Sequence, residues 1–273
     1  SKGLKDISAK TTIEKSKWDD NQDFRSKIRD EEEAKLAEIE SHLAKTEEDI
    51  KLLIKKNEEE LERNPASLKA LKNLTDLYKK LNMPEKSLEY YKQLSKYQPG
   101  DADLALSVVK TEYELKESQG ASESELLDFL ISGYENLCRQ FPTNYKLHYE
   151  FGNVLLNAGK YDEAIAEFQK SMVSPNFKVE SMNKLGLCFE MKKFYDLAID
   201  EFKKGLSEIG EEMTDLKKEI LYNLANTLEK AGRGDEALSY YKKIYQVDIT
   251  YKDVAKKIEH FHKSDSGSTS TET

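Results

Sequence analysis

Sulfur chemistry has little to work with in this chain, whose 273 residues include two cysteines, Cys138 and Cys188. Both sit inside helical patterns, where a free cysteine behaves as a small buried apolar residue. Two thiols supply neither a disulfide framework nor a metal cluster, and a reducing, cytoplasmic compartment is compatible with that usage. Proline is scarce at five, and Trp18 is the single tryptophan. Val, Ile and Thr nowhere alternate with period two, which excludes extended sheet. No stretch approaches the roughly 18 uninterrupted apolar residues of a membrane span, so direct membrane insertion is not expected. Positive charge is in deficit, with 43 Lys and Arg against 52 Asp and Glu and a net charge of −9. That balance opposes phosphate binding, and no nucleic-acid partner is expected.

Catalytic signatures are missing as well. There is no Gly-rich phosphate loop, no His-Glu-x-x-His and no serine with a base partner. His260 and His262 stand one residue apart, with no acidic or cysteine companion at ligand spacing. The carboxylates fall in runs, 30–33 and 58–60, which are solvated faces and not the isolated pair that acid–base chemistry needs. No enzyme activity, no cofactor and no metal are expected.

What is present is charge and helix periodicity. Hydrophobic residues make up 38% and charged residues 35%, a composition that suits many exposed helices with narrow apolar stripes. The fold class is all-α. Residues 1–29 form a polar leader, expected to be partly disordered, in which Trp18 either docks on the chain's own first helices or anchors a partner. Residues 30–63 predict one long coiled-coil-like helix. Leu36, Leu43, Ile50 and Asn57 recur every seven residues, with Ile39, Thr46 and Leu53 between them. That seam serves either a homodimer or an N-terminal cap folded against the chain's own repeats.

From 68 onward the chain repeats itself. Phe151-Gly152, then Ala164 and Phe168, return 34 residues later as Leu185-Gly186, Ala198 and Phe202. They return again as Leu224-Ala225, Ala237 and Tyr241. Each set reads as two short helices folded back on each other, with Gly159 and Gly232 in the turns. The small residues allow a close crossing that the aromatics then fill. Pro65, Pro99 and Pro142 punctuate the helices. The units are 68–101, 102–144 (atypical, with extra length near 117–122), 145–178, 179–217 (extra length near 210–212) and 218–251. Asp162, Asp196 and Asp235 stand at the starts of second helices, where a carboxylate satisfies free N–H groups. Val254, Ile258 and Phe261 mark a capping helix over 252–263, and 264–273 is a Ser/Thr-rich tail expected to be disordered.

A 34-residue helix–turn–helix period with these small and aromatic positions resembles the tetratricopeptide repeat family, in a style that looks bacterial. Leu71, His148, Met182 and Leu221 replace the early tryptophan of the family, and Thr75 and Ser87 replace the small Gly and Ala of the first unit. The resemblance implies a right-handed superhelical solenoid whose first helices line a concave groove for a peptide or helix of another protein. At groove spacing stand Lys69, Lys72, Asp76 and Lys79, then Lys146, Tyr149, Asn153 and Leu156. Glu180, Asn183, Leu187 and Glu190 come next, then Glu219, Tyr222, Asn226 and Glu229. The groove would run from basic, through amide and aromatic, to acidic. Asn153, Asn183 and Asn226 could bind a peptide backbone by donating and accepting at once, with Tyr149 and Tyr222 packing on its side chains. The positions that grip chaperone tails in some members hold Tyr149, Asn153, Lys184, Glu219 and Asn223 here, and only Asn153 suits that clamp. The expected function is a non-enzymatic scaffold that binds a protein or peptide. The alternatives are a self-associating protein dimerised through 30–63, or an accessory module of a larger protein, since the sequence begins at Ser1 without Met.

Overall fold

The computed structural model describes residues 46–268, with side chains through Phe261. Trp18, the leader and the first half of the expected 30–63 helix lie outside the described residues. Twelve helices and no strand are present among the described residues. They are α1 (Glu47–Arg63), α2 (Leu68–Lys80), α3 (Pro84–Tyr97), α4 (Ala102–Ser118), α5 (Glu123–Gln140) and α6 (Tyr145–Asn157). The rest are α7 (Tyr161–Ser171), α8 (Lys178–Met191), α9 (Tyr195–Glu208), α10 (Asp215–Lys230), α11 (Gly234–Tyr245) and α12 (Val254–Ser268). The chain divides into two compact units, one ending at Leu115 and the other beginning at Lys116, so that the division falls within α4.

In the first unit α1 does not continue an uninterrupted coiled coil. Thr46, expected as a seam residue, is its N-cap, and the Thr46 hydroxyl accepts from Asp49 N at 3.1 Å while Asp49 Oδ2 accepts from Thr46 N at 3.3 Å. This reciprocal capping box satisfies helix-end donors and starts a new helix. The later seam residues face inward. Ile54 is buried with Leu74, Leu77 and Tyr78, and Ile50 and Leu53 pack against that cluster. Asn57, the polar interruption, is buried and accepts from Asn73 Nδ2 at 3.0 Å. Thus α1 covers the α2–α3 hairpin. Where the family norm would put Gly and Ala, the buried Thr75 and Ser87 meet, and Ser87 Oγ donates to the Thr75 carbonyl at 3.0 Å.

The second unit holds α5, then the hairpins α6–α7, α8–α9 and α10–α11, followed by α12. The close crossings depend on glycine. A Cβ placed on Gly152 would lie 2.6 Å from Phe168 Cε1, and one on Gly186 would lie 2.5 Å from Phe202 Cε1. Both rings are fully buried, and each burial stabilises by about 1.5–3 kcal/mol. Ala164, Ala198, Ala225, Ala237 and Tyr241 are also fully buried. The turns of the hairpins need left-handed backbone. Gly159 (φ 74°) and Gly232 (φ 76°) supply it without strain, whereas Lys193 (φ 63°) adopts it in the α8–α9 turn.

Three expectations need correction. The extra length of 102–144 goes into longer helices, 17 residues in α4 and 18 in α5 against 13 in α2 and 14 in α3. Ser122 and Glu125 form a capping box that starts α5 directly after the turn. Asp162, Asp196 and Asp235 are first-turn residues and not caps, since Lys160, Phe194 and Arg233 hold the N-cap positions without side-chain capping bonds. The aspartates act through the helix dipole, and Asp162 also pairs with Lys192. Finally, α12 runs on past Lys263 to Ser268, because extending a formed helix is far easier than nucleating one. The extra length of 179–217 does form a loop, over 209–214, where Lys217 Nζ donates to Gly210 O at 2.8 Å and Glu211 O at 3.0 Å.

Candidate functional site

Two surfaces carry the residues expected to bind, one in each unit. In the first unit a cleft of about 550 Å³ opens between α2, α3 and α4. Lys69, Lys72 and Asp76 rise from α2, whose opposite face holds Ala70, Leu71 and Leu74 in the core. Asp103 and Ser107 approach from α4, with Asp101 at the head of that helix, and Tyr91, Leu94 and Leu104 form the floor. Asp101 is partly committed, because its Oδ1 accepts from Leu104 N at 2.9 Å and caps α4. The expected basic end is therefore a bipolar cleft, with Lys69, Lys72 and Asp76 on the α2 side facing Asp101 and Asp103 over an apolar floor. The α4 side was not legible from the repeat pattern, because unit 102–144 is the least regular.

In the second unit the first-helix face is largely bonded to itself. Asn183 is 1% exposed. Its Nδ2 donates to Glu219 Oε1 at 3.0 Å and its Oδ1 accepts from Asn223 Nδ2 at 2.9 Å. Asn183 thus ties α8 to α10 and is not a groove amide. Lys184 Nζ also approaches Glu219, at 3.8 Å. Leu187 is half-buried and packs against the core formed by α9, α10 and α11.

The tyrosines are similarly engaged. Tyr149 stacks on Phe177 with ring centres 5.5 Å apart and meets Phe168 edge-on at 5.9 Å. Burial raises its phenol above the ordinary range, opposed by Asn153 and reinforced by the Glu180 and Glu219 carboxylates. Glu180 stands on α8 and Glu219 on α10. Tyr222 donates to Asp253 Oδ1 at 2.6 Å, under the Lys252 ammonium 4.2 Å from its ring centre. Burial is again the main cause that raises its phenol, followed by the Asp253 bond.

Asn153 Nδ2 donates to the Tyr149 carbonyl at 2.9 Å. Asn226 Oδ1 lies 2.6 Å from the Tyr241 hydroxyl, which also approaches Glu229 Oε2 at 3.1 Å. Asn153 thus bonds back onto its own helix, and Asn226 holds the Tyr241 hydroxyl of its own hairpin. Lys146 is exposed at the start of α6.

A third cluster was not foreseen. Cys138 of α5, His148 of α6 and Glu167 of α7 are all buried, with donor atoms within 4.8 Å of one another. Burial, with the Glu167 carboxylate second, pushes the Cys138 thiol up to about 12. Positions 138, 148 and 167 form no ligand spacing that a single sequence reveals.

No helix among the described residues is long and apolar enough to cross a membrane. Comparison with known proteins agrees with the hairpin architecture. Tetratricopeptide repeat family models match residues 70–103, 134–166 and 220–255. These are repeat modules that mediate protein interaction, not enzyme families. No curated protein matches the sequence. Among solved structures, YrrB, a TPR protein with an unusual peptide-binding site, is 18% identical. That match covers 76% of this chain and 97% of YrrB, with a TM-score of 0.54. MamA 41-end from Desulfovibrio magneticus RS-1 is 15% identical over 66% of this chain and 94% of that one, with a TM-score of 0.52. A MamA RS-1 double mutant is 14% identical over 66% and 93%, also at 0.52. Such low identity speaks for the fold alone. With the close glycine crossings, the all-helical hairpins and three matched repeats in place, the chain carries tetratricopeptide repeats, the helical-hairpin modules of α-solenoid proteins.

Proposed function

We propose that the chain is a non-enzymatic adaptor that holds an extended peptide segment of a partner protein in the cleft between α2 and α4. The observation that carries this reading is the composition of that cleft. Its volume of about 550 Å³ lies within the roughly 300–1,000 Å³ of ligand sites. Its floor is apolar, and its rim offers Lys69 and Lys72 opposite Asp101 and Asp103. An extended peptide with an apolar side chain between oppositely charged neighbours fits such a site. The first-helix face of the second unit is the weaker candidate, because Asn183, Asn223, Glu219 and Tyr222 already spend their polar groups on internal bonds.

Selection of a displayed random-peptide library on the full chain tests the proposal. Peptides enriched on the wild type should be lost on a chain carrying Lys69→Glu and Lys72→Glu. Both lysines are exposed, so the substitutions leave the core intact. Equal enrichment on the two chains would move the site elsewhere, and no enrichment on either would refute peptide capture.

A further inference from the structure

His148 reports its own tautomer. Its Nε2 lies 3.0 Å from the Pro142 carbonyl oxygen, which can only accept, so Nε2 carries a hydrogen and donates it. In the neutral ring Nδ1 is then a bare lone pair. That lone pair faces Glu167 Oε2 at 2.5 Å, in a site where His148 is 3% and Glu167 8% exposed. Two lone pairs cannot face each other at that distance without a cation between them. A proton is one such cation. The Cys138 sulfur beside them offers a third donor, and three donors converging from three helices suit a second cation.

We propose that Cys138 Sγ, His148 Nδ1 and a Glu167 carboxylate oxygen form a binding site for one divalent, borderline-soft transition-metal ion of the zinc type. The donor set of thiolate, imidazole and carboxylate is the one zinc takes. The surrounding bonds fit as well. A ligating histidine ordinarily donates its other ring N–H to a backbone carbonyl or carboxylate, as His148 Nε2 does to Pro142. Lys170 Nζ donates to Glu167 Oε1 at 2.6 Å and holds the carboxylate in orientation through its other oxygen.

Charge balances without an uncompensated buried ion. Before binding, the site holds a thiol proton and one proton shared by His148 and Glu167. Binding expels both, leaving a thiolate, a carboxylate and a neutral imidazole around the dication. The net charge of the three side chains and their cation is zero in both states, which avoids the large penalty of burying an unpaired charge. Metal bonds of about 2.0–2.3 Å require the His148–Glu167 contact to open by roughly 1 Å. Rotation about the Glu167 side-chain bonds can supply that. The fourth position would fall to a water molecule. Because the ligands come from α5, α6 and α7, the ion would fasten three consecutive helices.

Cobalt(II) titration of the chelator-stripped full chain tests this, with zinc then added in competition. One equivalent should bind with a thiolate-to-cobalt charge-transfer band, release about two protons per ion in weak buffer, and give way to zinc. Saturating zinc should raise the thermal midpoint of the wild type. Cys138→Ser, which preserves size, should abolish the sulfur band and the midpoint shift, whereas Cys188→Ser should keep both. Surface carboxylates or His260 would bind cobalt without a sulfur band. Absence of that band at saturating cobalt, or its survival in Cys138→Ser, would overturn the proposal.

Discussion

Alanine at position 186 ought to stabilise a helix, and in this chain it should do the reverse. Gly186 lies inside α8, where glycine is less favourable than alanine by about 1 kcal/mol. The added Cβ would stand 2.5, 2.7 and 2.8 Å from Cε1, Cζ and Cδ1 of Phe202. Carbon atoms in good contact lie about 3.5–4.0 Å apart, so the ring must retreat by roughly 1 Å. Phe202 is fully buried, against a core with Ala198 and Ile220 also at or near zero exposure, and there is no free space for that movement. Overpacking of this kind costs about 1–3 kcal/mol, which offsets the propensity gain and leaves a net loss of up to about 2 kcal/mol. Gly205 is the internal control. It also lies in a helix, but a Cβ there would meet its neighbours at an ordinary 3.6 Å, so Gly205→Ala should gain about 0.5–1 kcal/mol. Urea denaturation of each full chain gives the two signs. Gly186→Ala combined with Phe202→Leu should lose less than the sum of the single changes, since the shorter side chain relieves the clash. If Gly186→Ala and Gly205→Ala shift the urea midpoint in the same direction, the close-crossing argument fails.

Other side chains carry expectations of their own. Asn183→Ala should destabilise by about 1 kcal/mol, because two hydrogen bonds between α8 and α10 are lost while water can reach Glu219, and should leave peptide selection unchanged; urea melts and the display assay separate the two effects. Lys193→Gly should stabilise by about 1–2 kcal/mol by removing a left-handed non-glycine residue, read by the same melts. Burial first, and then the Glu58 bond, raise the Tyr78 phenol from 10.0 to about 12. A raised acid contributes stability that is complete below its unfolded value and lost as pH rises towards the folded one. Stability should therefore fall between about pH 10 and pH 12, and Glu58→Gln should move ionisation to lower pH in an ultraviolet phenolate titration. Cys188 is fully buried, and burial pushes its thiol up to about 12, so iodoacetamide at neutral pH should label it only after urea unfolds the chain.

The packing half of the fold was legible because it repeats. Gly152 and Gly186 recur at one period with Phe168 and Phe202, and a helical glycine kept beside a buried aromatic has one physical reading. The heptad seam was less decisive, because an apolar stripe looks the same whether it meets another chain or its own hairpin. The choice is made for Ile54 and Asn57 by Leu74, Tyr78 and Asn73. Thr46 was readable as a capping box with Asp49, but the seam pattern concealed it. The binding half was harder. Groove spacing gives the side of a helix a residue occupies, and it cannot say what that residue finds there. Asn183 meets partners 36 and 40 residues away, and Cys138, His148 and Glu167 converge from three helices. Such meetings depend on how successive hairpins pack, which no local pattern encodes.

The most direct test of the adaptor reading is a calorimetric titration of one library-selected peptide into the full chain and into the Lys69→Glu, Lys72→Glu variant. Urea midpoints of the two chains serve to establish equal folding. The account predicts binding at one site per chain, weakened at least about tenfold, or about 1.4 kcal/mol, by the paired substitutions. Equal affinity for both chains would contradict it.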